Sequence, residues 1–233
     1  VQIGMLYATW GERKVIGRVR RSVPDADVVV VNDGSRDDTA AAAGAAGAAV
    51  VSHPFNMGYG VAIQTGYKYA VRNGYDIVLQ LDGDGQHDPS CIGDLVKPVE
   101  DGTVDVAIGS RFLGDGRKSR TKGTYPVPFA RRVGMTIFGT IAGHFTGHRV
   151  TDPTSGYQAM NRRVFEWLST DRFPCDYPDA DVIIMLSRAG YRITEVPVRM
   201  YANEQSTSMH SGLKPLYYMF KMFLSIFVTL LRK

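Results

Sequence analysis

The chain has 233 residues, of which 44% are hydrophobic and 21% charged. These values are typical of a globular protein with one sizeable core, and the length is short for two full catalytic domains. The formal net charge of +4 is mild, and it fits an anionic ligand, an anionic membrane surface or nucleic acid without choosing among them. The two cysteines, Cys91 and Cys175, lie far apart, so neither a disulfide framework nor a zinc site is indicated, and a reducing cytoplasm is expected.

Short β-rich runs alternate with helical stretches along the first half of the chain. The predicted strands are 1–6, 28–31, 50–51, 77–81 and 104–108, and the predicted helices are 12–22, 37–46, 59–73 and 89–100. The first run lacks the basic start and long apolar stretch of a secretory signal, so we predict a buried strand there. Such alternation predicts a mostly parallel sheet with helices on both faces and ligands beyond the carboxyl ends of the strands.

The second half departs from this pattern. A basic, glycine-containing stretch at 114–123 is predicted to be a loop, and an amphipathic helix is predicted at 129–145. The final apolar run, 216–231, is bracketed by basic residues and is too short for a membrane span, which needs about 20 apolar residues. We expect an interfacial helix on a membrane or, alternatively, a helix packed on the domain or on a partner subunit.

Two carboxylates follow the predicted strand 77–81. Asp82 and Asp84 stand in the sequence Leu-Asp-Gly-Asp-Gly-Gln, whose glycines allow a tight turn. Magnesium and manganese prefer oxygen ligands, and one or two carboxylates together with substrate phosphates complete their coordination. Gln86 adds a neutral oxygen as a third ligand or an outer support. The alternative is an ordinary acidic turn, because Asp-Gly is common where a chain reverses.

A second acidic turn follows the earlier strand 28–31. Asp33 is placed there to accept a hydrogen bond from a base or a ribose, while Ser35 or Asp37 is expected to cap the next helix. Two acidic turns at strand ends predict a ligand site more specifically than one does. The five histidines show no mutual ligand spacing, and most are expected to be ordinary surface or turn residues.

Six segments of the chain match the motifs of a known family in the order in which that family carries them. They are Val-Asn-Asp-Gly-Ser at 31–35, His-Pro-Phe-Asn-Met-Gly-Tyr-Gly at 53–60, Leu-Asp-Gly-Asp-Gly-Gln-His-Asp-Pro at 81–89, Gly-Ser-Arg-Phe at 109–112, Thr-Asp-Pro-Thr-Ser-Gly-Tyr at 151–157 and Gly-Tyr-Arg-Ile-Thr-Glu-Val-Pro at 190–197. With these segments the chain resembles the family 2 glycosyltransferases of the GT-A fold, and within them the dolichol-phosphate mannose synthase-like and polyprenyl-phosphate glycosyltransferase group.

The resemblance implies a single α/β domain of the GT-A (Rossmann-like) fold, with a mostly parallel mixed sheet flanked by helices and a C-terminal amphipathic helix. We expect a nucleotide-sugar-binding half at 1–112 and an acceptor-binding half of the same domain at 113–211. The C-terminal helix is expected within 212–233.

The resemblance also assigns a donor site for a UDP- or GDP-hexose. It implies that Asp82, Asp84 and Gln86 hold Mn²⁺ or Mg²⁺ against the donor diphosphate. Asp33 resembles the residue that reads the nucleoside, and Asn56 of the 53–60 segment is assigned to the same site.

The base-binding stretch differs from the family pattern. The family usually opens its first turn with Pro-Ala-Tyr-Asn-Glu, whereas residues 8–12 read Ala-Thr-Trp-Gly-Glu. Ala8, Trp10 and Glu12 are assigned to the donor site on this basis, although the proline and the asparagine are missing.

The acceptor side is assigned to arginines and carboxylates. Arg111, Arg131 and Arg132 resemble arginines that hold an acceptor phosphate, which guanidinium groups contact in bidentate fashion. For Arg131 and Arg132 the alternative is a solvated helix face. Asp152 and Asp181 are the remaining catalytic candidates, and Asp181 falls where inverting relatives with hydroxyl acceptors have their general base. A phosphate acceptor is already ionised and needs no base, in which case Asp181 orients basic side chains.

The leading hypothesis is an inverting, metal-dependent transfer of a hexose from the nucleotide sugar to a polyprenyl phosphate. The enzyme is expected in the cytoplasm, peripherally bound at the inner face of the membrane, where its C-terminal helix also offers a surface for a homo-oligomer. One alternative keeps the donor chemistry but uses a soluble hydroxyl acceptor, and another is a noncatalytic nucleotide-sugar-binding module. The sequence lacks the interleaved basic and aromatic pattern of single-strand binders, so no nucleic-acid partner is expected.

Overall fold

A seven-stranded mixed sheet organises the computed structural model, which describes residues 3–9, 25–83, 85–113, 129–147, 149–174, 178–201 and 214–231. For 3–9, 129–133 and 214–219 the backbone alone is described. The strands are β1 (Ile3–Thr9), β2 (Asp27–Asn32), β3 (Ala49–Ser52), β4 (Ile77–Asp82), β5 (Val106–Ser110), β6 (Gln158–Asn161) and β7 (Ile193–Pro197). They lie in the order β3-β2-β1-β4-β6-β5-β7, and β6 runs antiparallel to both of its neighbours while the other pairs are parallel.

Helices cover both faces of this sheet. They are α1 (Thr39–Ala45), α2 (Tyr59–Arg72), α3 (Ile92–Glu100), α4 (Phe129–Thr146), α5 (Arg162–Leu168), α6 (Ala180–Arg188) and α7 (Lys214–Leu231), with a short 3₁₀ turn at Pro89–Cys91. The uninterrupted valines of β2 follow from this arrangement, because successive side chains of a strand point to opposite faces. Val28 and Val30 lie in the apolar cluster that includes Leu95 of α3, and Val29 lies in the cluster that includes Tyr67 of α2.

The predicted single α/β domain with a mostly parallel mixed sheet is confirmed. The predicted strands 28–31 and 77–81 correspond to β2 and β4, and the strand predicted at 104–108 is found two residues later as β5. The helix predicted at 12–22 falls outside the described residues. Sequence reasoning assigned neither strands nor helices between residues 146 and 211, where β6, α5, α6 and β7 are found.

β6 comes late in the chain but lies in the middle of the sheet. Its residues pair with Ile77–Gln80 on one side and with Val106–Ile108 on the other. The predicted halves 1–112 and 113–211 therefore share one sheet, and their division into donor and acceptor functions remains a prediction.

The predicted C-terminal amphipathic helix is present as α7. Its inner face packs on α4 and α6 through a third apolar cluster, which consists of Phe138, Ala142, Ala180, Ile184, Met222 and Ile226. In the part of the chain that is described, no helix has the length and apolar character that crossing a bilayer requires.

Gly139 of α4 gives a test of this packing. A Cβ atom at this position would lie 2.5 Å from the backbone oxygen of Val150, which cannot move aside as a side chain would. We therefore expect Gly139→Ala to lower the free energy of unfolding by about 1–3 kcal/mol, the usual cost of overpacking.

Gly93 of α3 is the matched control, because a Cβ atom there would meet no atom within 4 Å. Gly93→Ala is expected to raise the free energy of unfolding by about 0.5–1 kcal/mol through helix propensity. Urea unfolding of both variants measures the difference, and equal stability of the two would contradict the tight approach of α4 to Val150.

Candidate active site

Asp82 is the last residue of β4 and lies at the edge of the sheet where the parallel strands β1, β2 and β4 end. β4 is buried along its length, but the Asp82 side chain is 31% exposed, so a ligand can reach its carboxylate. Ala8 of β1 pairs with Asp82 in the sheet, which brings the start of the predicted base-binding stretch alongside. This is the edge at which open α/β sheets bind ligands.

Tyr59, the first residue of α2, fixes the orientation of Asp82. Its hydroxyl donates a hydrogen bond to Asp82 Oδ1 over 2.7 Å. Desolvation raises the pKa of Tyr59 well above its usual value, and the negative charges of Asp82 and Asp179 act in the same direction. The hydroxyl therefore keeps its proton at neutral pH and acts as a donor.

The pKa of Asp82 is itself raised, and desolvation is the main cause. The hydrogen bond from Tyr59 and the positive charge of Arg111 act in the opposite direction by stabilising the carboxylate. Tyr59 and Arg111 therefore favour the charged form of Asp82, which is the form that binds a cation.

His87 and Gly156 also border the Asp82 carboxylate. His87 Nδ1 accepts a hydrogen bond from the backbone N–H of Asp82 over 3.2 Å, and its Nε2 lies 3.8 Å from Asp82 Oδ2. The imidazole stacks on Tyr157 with 4.7 Å between the ring centroids. A Cβ atom at Gly156 would lie 2.7 Å from Asp82 Oδ2 and 3.0 Å from the Tyr59 hydroxyl. The carboxylate thus has little room to turn.

The predicted metal ligands are described only in part. Asp82 is present at the strand end, Asp84 lies outside the described residues, and the backbone oxygen of Gln86 accepts a hydrogen bond from Tyr201 N over 2.7 Å. Over the described residues, no three His, Cys, Asp or Glu side chains converge as a metal site. An oriented carboxylate nevertheless fits a magnesium or manganese ion that takes most of its ligands from phosphates and water.

The Asp33 carboxylate holds the loop that leads into α2. It accepts hydrogen bonds from Met57 N over 2.8 Å and Gly58 N over 2.9 Å, and it contacts His53 Nδ1 at 2.7 Å. His53 Nε2 in turn lies 2.9 Å from the hydroxyl of Thr65. Asp33 thus has a structural task that sequence reasoning did not foresee, and its contact with a nucleoside remains a prediction.

Gly34 allows the Asp33 turn to pack directly on that loop. Its φ is +72°, and a Cβ atom would lie 2.4 Å from the carbonyl carbon of Phe55. Asn56, the predicted donor-site residue, lies exposed in the same loop. Of the two capping candidates, Asp37 accepts a hydrogen bond from Thr39 N at the start of α1 over 3.0 Å, whereas the backbone N–H of Ser35 donates to Asn32.

Arg111 and Asp152 form a buried ion pair beyond the end of β5. Arg111 Nε and Nη2 donate to the two carboxylate oxygens of Asp152 over 2.7 and 2.8 Å. Asp152 is fully buried, and Glu195 of β7 accepts hydrogen bonds from the backbone N–H groups of Thr151 and Asp152. Asp152 thus orients the guanidinium of Arg111. The positive charge of Arg111 in turn stabilises the ionised form of Asp82.

Asp181 lies in the first turn of α6 and is fully buried. Its Oδ1 accepts hydrogen bonds from the backbone N–H groups of Asp179 and Val182, and its Oδ2 accepts one from the hydroxyl of Ser225 in α7. Burial raises the pKa of the Asp181 carboxyl group. The carboxylate whose charge acts on Tyr59 is that of Asp179, two residues before Asp181.

The structure therefore links Tyr59 and Arg111 to Asp82, and Asp179 to Tyr59, through hydrogen bonding or charge. Tyr59, His87, Gly156 and Asp179 were missed as site residues by sequence reasoning, although the first three stand in or beside segments shared with the family. Several predicted residues remain untested. Trp10 and Glu12 lie outside the described residues, and so do the side chains of Arg131 and Arg132 in α4.

Comparison with known proteins gives a consistent result. Residues 9–168 match the model of the family described as Glycosyl transferase family 2. An uncharacterized protein of Methanocaldococcus jannaschii is 30% identical over 227 residues, which cover 93% of this chain and 90% of the relative. The polyprenol monophosphomannose synthase of Mycolicibacterium smegmatis is 28% identical, with 89% of this chain and 80% of the relative covered. The undecaprenyl-phosphate mannosyltransferase of Micrococcus luteus is 29% identical, with 84% and 81% covered.

A solved structure matches the fold. Glucosyl-3-phosphoglycerate synthase from Mycobacterium tuberculosis, in complex with Mn²⁺ and UDP-glucose, superimposes with a TM-score of 0.64 at 22% identity. The alignment covers 98% of this chain and 78% of that one. At this identity the likeness concerns the fold alone, and it confirms the GT-A layout expected from the sequence.

Gly156→Ala tests whether the orientation of Asp82 matters for binding. The added methyl group must displace the Asp82 carboxylate, which is a flexible side-chain end, so the fold is expected to survive. We expect manganese-dependent binding of a nucleoside diphosphate, measured by calorimetry, to weaken by about 10–100-fold, as for other supports of metal ligands.

Gly44→Ala in α1 is the control, because a Cβ atom there would meet no atom within 4 Å. This variant is expected to bind as the unaltered chain does. Unchanged manganese-dependent binding by the Gly156 variant would contradict the role of Asp82 in the metal site.

Proposed function

The chain belongs to glycosyl transferase family 2, and we propose that it transfers a hexose from a UDP- or GDP-sugar to a polyprenyl phosphate with inversion of the anomeric carbon. As a member of this family the chain is an enzyme, a glycosyltransferase, which sets aside the noncatalytic binding module. Two of the relatives named above carry polyprenol or undecaprenyl phosphate in their names, which supports a lipid phosphate as the acceptor.

The observation that carries the proposal is the buried ion pair of Arg111 with Asp152, whose arginine acts electrostatically on Asp82. A guanidinium held by a buried carboxylate is rigid and permanently charged, and its planar donors suit the oxygens of a phosphate. Asp82 is the proposed ligand of the cation that binds the donor diphosphate, and the positive charge of Arg111 acts on its carboxylate. These features support an acceptor phosphate at Arg111 and a donor diphosphate at Asp82.

The reaction then needs positioning more than proton transfer. An oxygen of the ionised acceptor phosphate forms a bond to the anomeric carbon, and the bond from that carbon to the donor diphosphate breaks, so that the nucleoside diphosphate leaves with the electron pair. Mn²⁺ or Mg²⁺ held by Asp82, when bound, supplies positive charge to the diphosphate. Tyr59 holds Asp82 in place, and no general base is required.

The outer face of α7 supports attachment to a membrane surface, and the cytoplasmic side of that surface remains a prediction from the sequence. Six large apolar side chains are exposed along this helix at the spacing of one helical face, namely Phe220, Phe223, Leu224, Phe227, Val228 and Leu231. In the sequence this run is preceded by Lys214, interrupted by Lys221 and followed by Arg232 and Lys233. Basic residues around an apolar face suit anionic headgroups. A homo-oligomer through the same face is the competing arrangement, and flotation with anionic vesicles separates the two.

A donor and acceptor screen tests the proposed reaction. Incubation of the protein with manganese, radiolabelled UDP- or GDP-hexoses and a polyprenyl phosphate is expected to yield labelled lipid with at least one donor. The absence of labelled lipid with every donor would contradict the acceptor assignment, and product formed instead on a soluble sugar would favour the hydroxyl-acceptor alternative.

Arg111→Lys tests the acceptor site directly. Lysine keeps the charge but loses the bidentate contact with Asp152, so we expect transfer to the lipid phosphate to fall by about 10–100-fold, the equivalent of one charged hydrogen bond or two. Donor hydrolysis without acceptor, measured as released nucleoside diphosphate, is expected to change little.

Arg192→Lys provides a matched control. Arg192 also makes two contacts with a buried carboxylate, that of Asp105, but its own side chain is 56% exposed. We expect this variant to retain lipid transfer. A loss of transfer in both variants would mean that the Arg111 effect is one of stability.

A further inference from the structure

A buried polar contact joins α6 to the C-terminal helix. The hydroxyl of Ser225 in α7 donates a hydrogen bond to Oδ2 of Asp181 in α6. Asp181 is fully buried, and the surrounding side chains on both helices are largely apolar, among them Ile184 and Ile226. A buried carboxylate must have its oxygens satisfied, so this contact constrains how α7 sits on α6.

The same carboxylate organises the beginning of α6. Its Oδ1 lies 2.9 Å from the backbone N–H groups of both Asp179 and Val182. A negative charge at this end of a helix is favourable, because the first N–H groups have no partner within the helix. Asp181 therefore binds α7 and the first turn of α6 at once.

Further contacts extend the attachment of α7. Arg188, in the last turn of α6, donates to the backbone oxygens of Thr229 and Leu230 over 3.1 and 3.2 Å. Phe138 of α4 lies 5.1 Å from Phe223 of α7, measured between ring centroids. Of these contacts, the one made by Asp181 lies at the beginning of α6, the end that is followed back to the candidate active site through Asp179.

The connection to the candidate active site runs through Asp179. Asp179 immediately precedes α6, and its backbone N–H is held by Asp181. Its negative charge acts on Tyr59, whose hydroxyl orients Asp82. Hydrogen bonds thus connect α7 to Asp181 and Asp181 to Asp179, and the charge of Asp179 acts on the tyrosine that orients the carboxylate at the end of β4.

From this geometry we propose that Asp181 is a positioning residue that fixes α7 relative to the candidate active site, and that it is not a proton acceptor. The proposal rests on the proposed function in one respect, since it takes the acceptor to be a lipid phosphate presented at the surface that α7 contacts. The position of α7 on α6 then determines how the acceptor phosphate is presented to Arg111 and to the donor.

Three variants separate positioning from proton transfer. Asp181→Asn keeps an oxygen for the two backbone N–H groups and places an amide against the Ser225 hydroxyl, so every contact is retained while basicity is lost. Asp181→Ala and Ser225→Ala each break the contact between the helices. Ser169→Ala is the control. It also removes a hydroxyl that donates a hydrogen bond, but to the backbone oxygen of Glu166 at the end of α5, away from α7.

Steady-state kinetics with polyprenyl phosphate give the first measurement. We expect Asp181→Asn to keep kcat and both KM values within about threefold of those of the unaltered enzyme. Asp181→Ala and Ser225→Ala are expected to raise the KM for the lipid acceptor by about tenfold, the equivalent of one hydrogen bond to a charged group, while the KM for the donor is unchanged. Abolished turnover in Asp181→Asn would overturn the proposal in favour of a general base.

Hydrogen exchange of the α7 amides is the second measurement, and it does not depend on the reaction. Exchange at residues 222–229 is expected to accelerate in Asp181→Ala and Ser225→Ala but not in Asp181→Asn or Ser169→Ala. Equal protection in all four variants would overturn the proposal. If the unaltered enzyme forms no labelled lipid, the proposed function fails, and the exchange result alone decides whether Asp181 holds α7.

Discussion

The structure of the candidate site depends on the carboxylate of Asp33. A single side chain satisfies two backbone N–H groups at the entry to α2 and contacts His53, and it thereby determines where that helix begins. Tyr59 is the first residue of the helix, so its hydroxyl reaches Asp82 only if this loop is held. Because one carboxylate makes all three contacts, they hold the loop on one path across the Asp33 turn.

Charge in the site is balanced around Arg111 and Asp82. Asp152 holds the guanidinium of Arg111 in an ion pair, and Glu195 accepts a hydrogen bond from the backbone N–H of Asp152. Arg111 in turn favours the ionised form of Asp82, against the effect of desolvation. An anionic donor and an anionic acceptor would otherwise repel each other, so a rigid guanidinium and a divalent cation between them are what the proposed transfer requires.

Reasoning from the sequence identified the elements whose signals are local. β2 and β4 are largely apolar runs, so the hydrophobic pattern located them and the Asp82 turn at the end of β4. Arg111 was assigned through the family resemblance, and it follows β5. β6 was missed because four residues, Gln-Ala-Met-Asn, carry no β-branched side chain and no readable period. The partners of the site residues were missed for another reason. Gly156 approaches Asp82, and Ser225 binds Asp181, only through contacts between distant parts of the chain, which spacing does not encode.

The central position of β6 has a consequence for how the chain folds. Ile77 pairs with Asn161, and Val106 pairs with Met160. The edges of β4 and β5 that face β6 therefore stay unpaired until the chain has been synthesised through β6. Until then two buried strand edges carry unpaired backbone groups, which are prone to pair with other chains. Pairings so distant along the chain slow folding, because the entropy of closing a long loop is lost before the contacts form. Synthesis that stalls before residue 158 would leave an aggregation-prone nascent chain even though the residues of the candidate metal site were already complete.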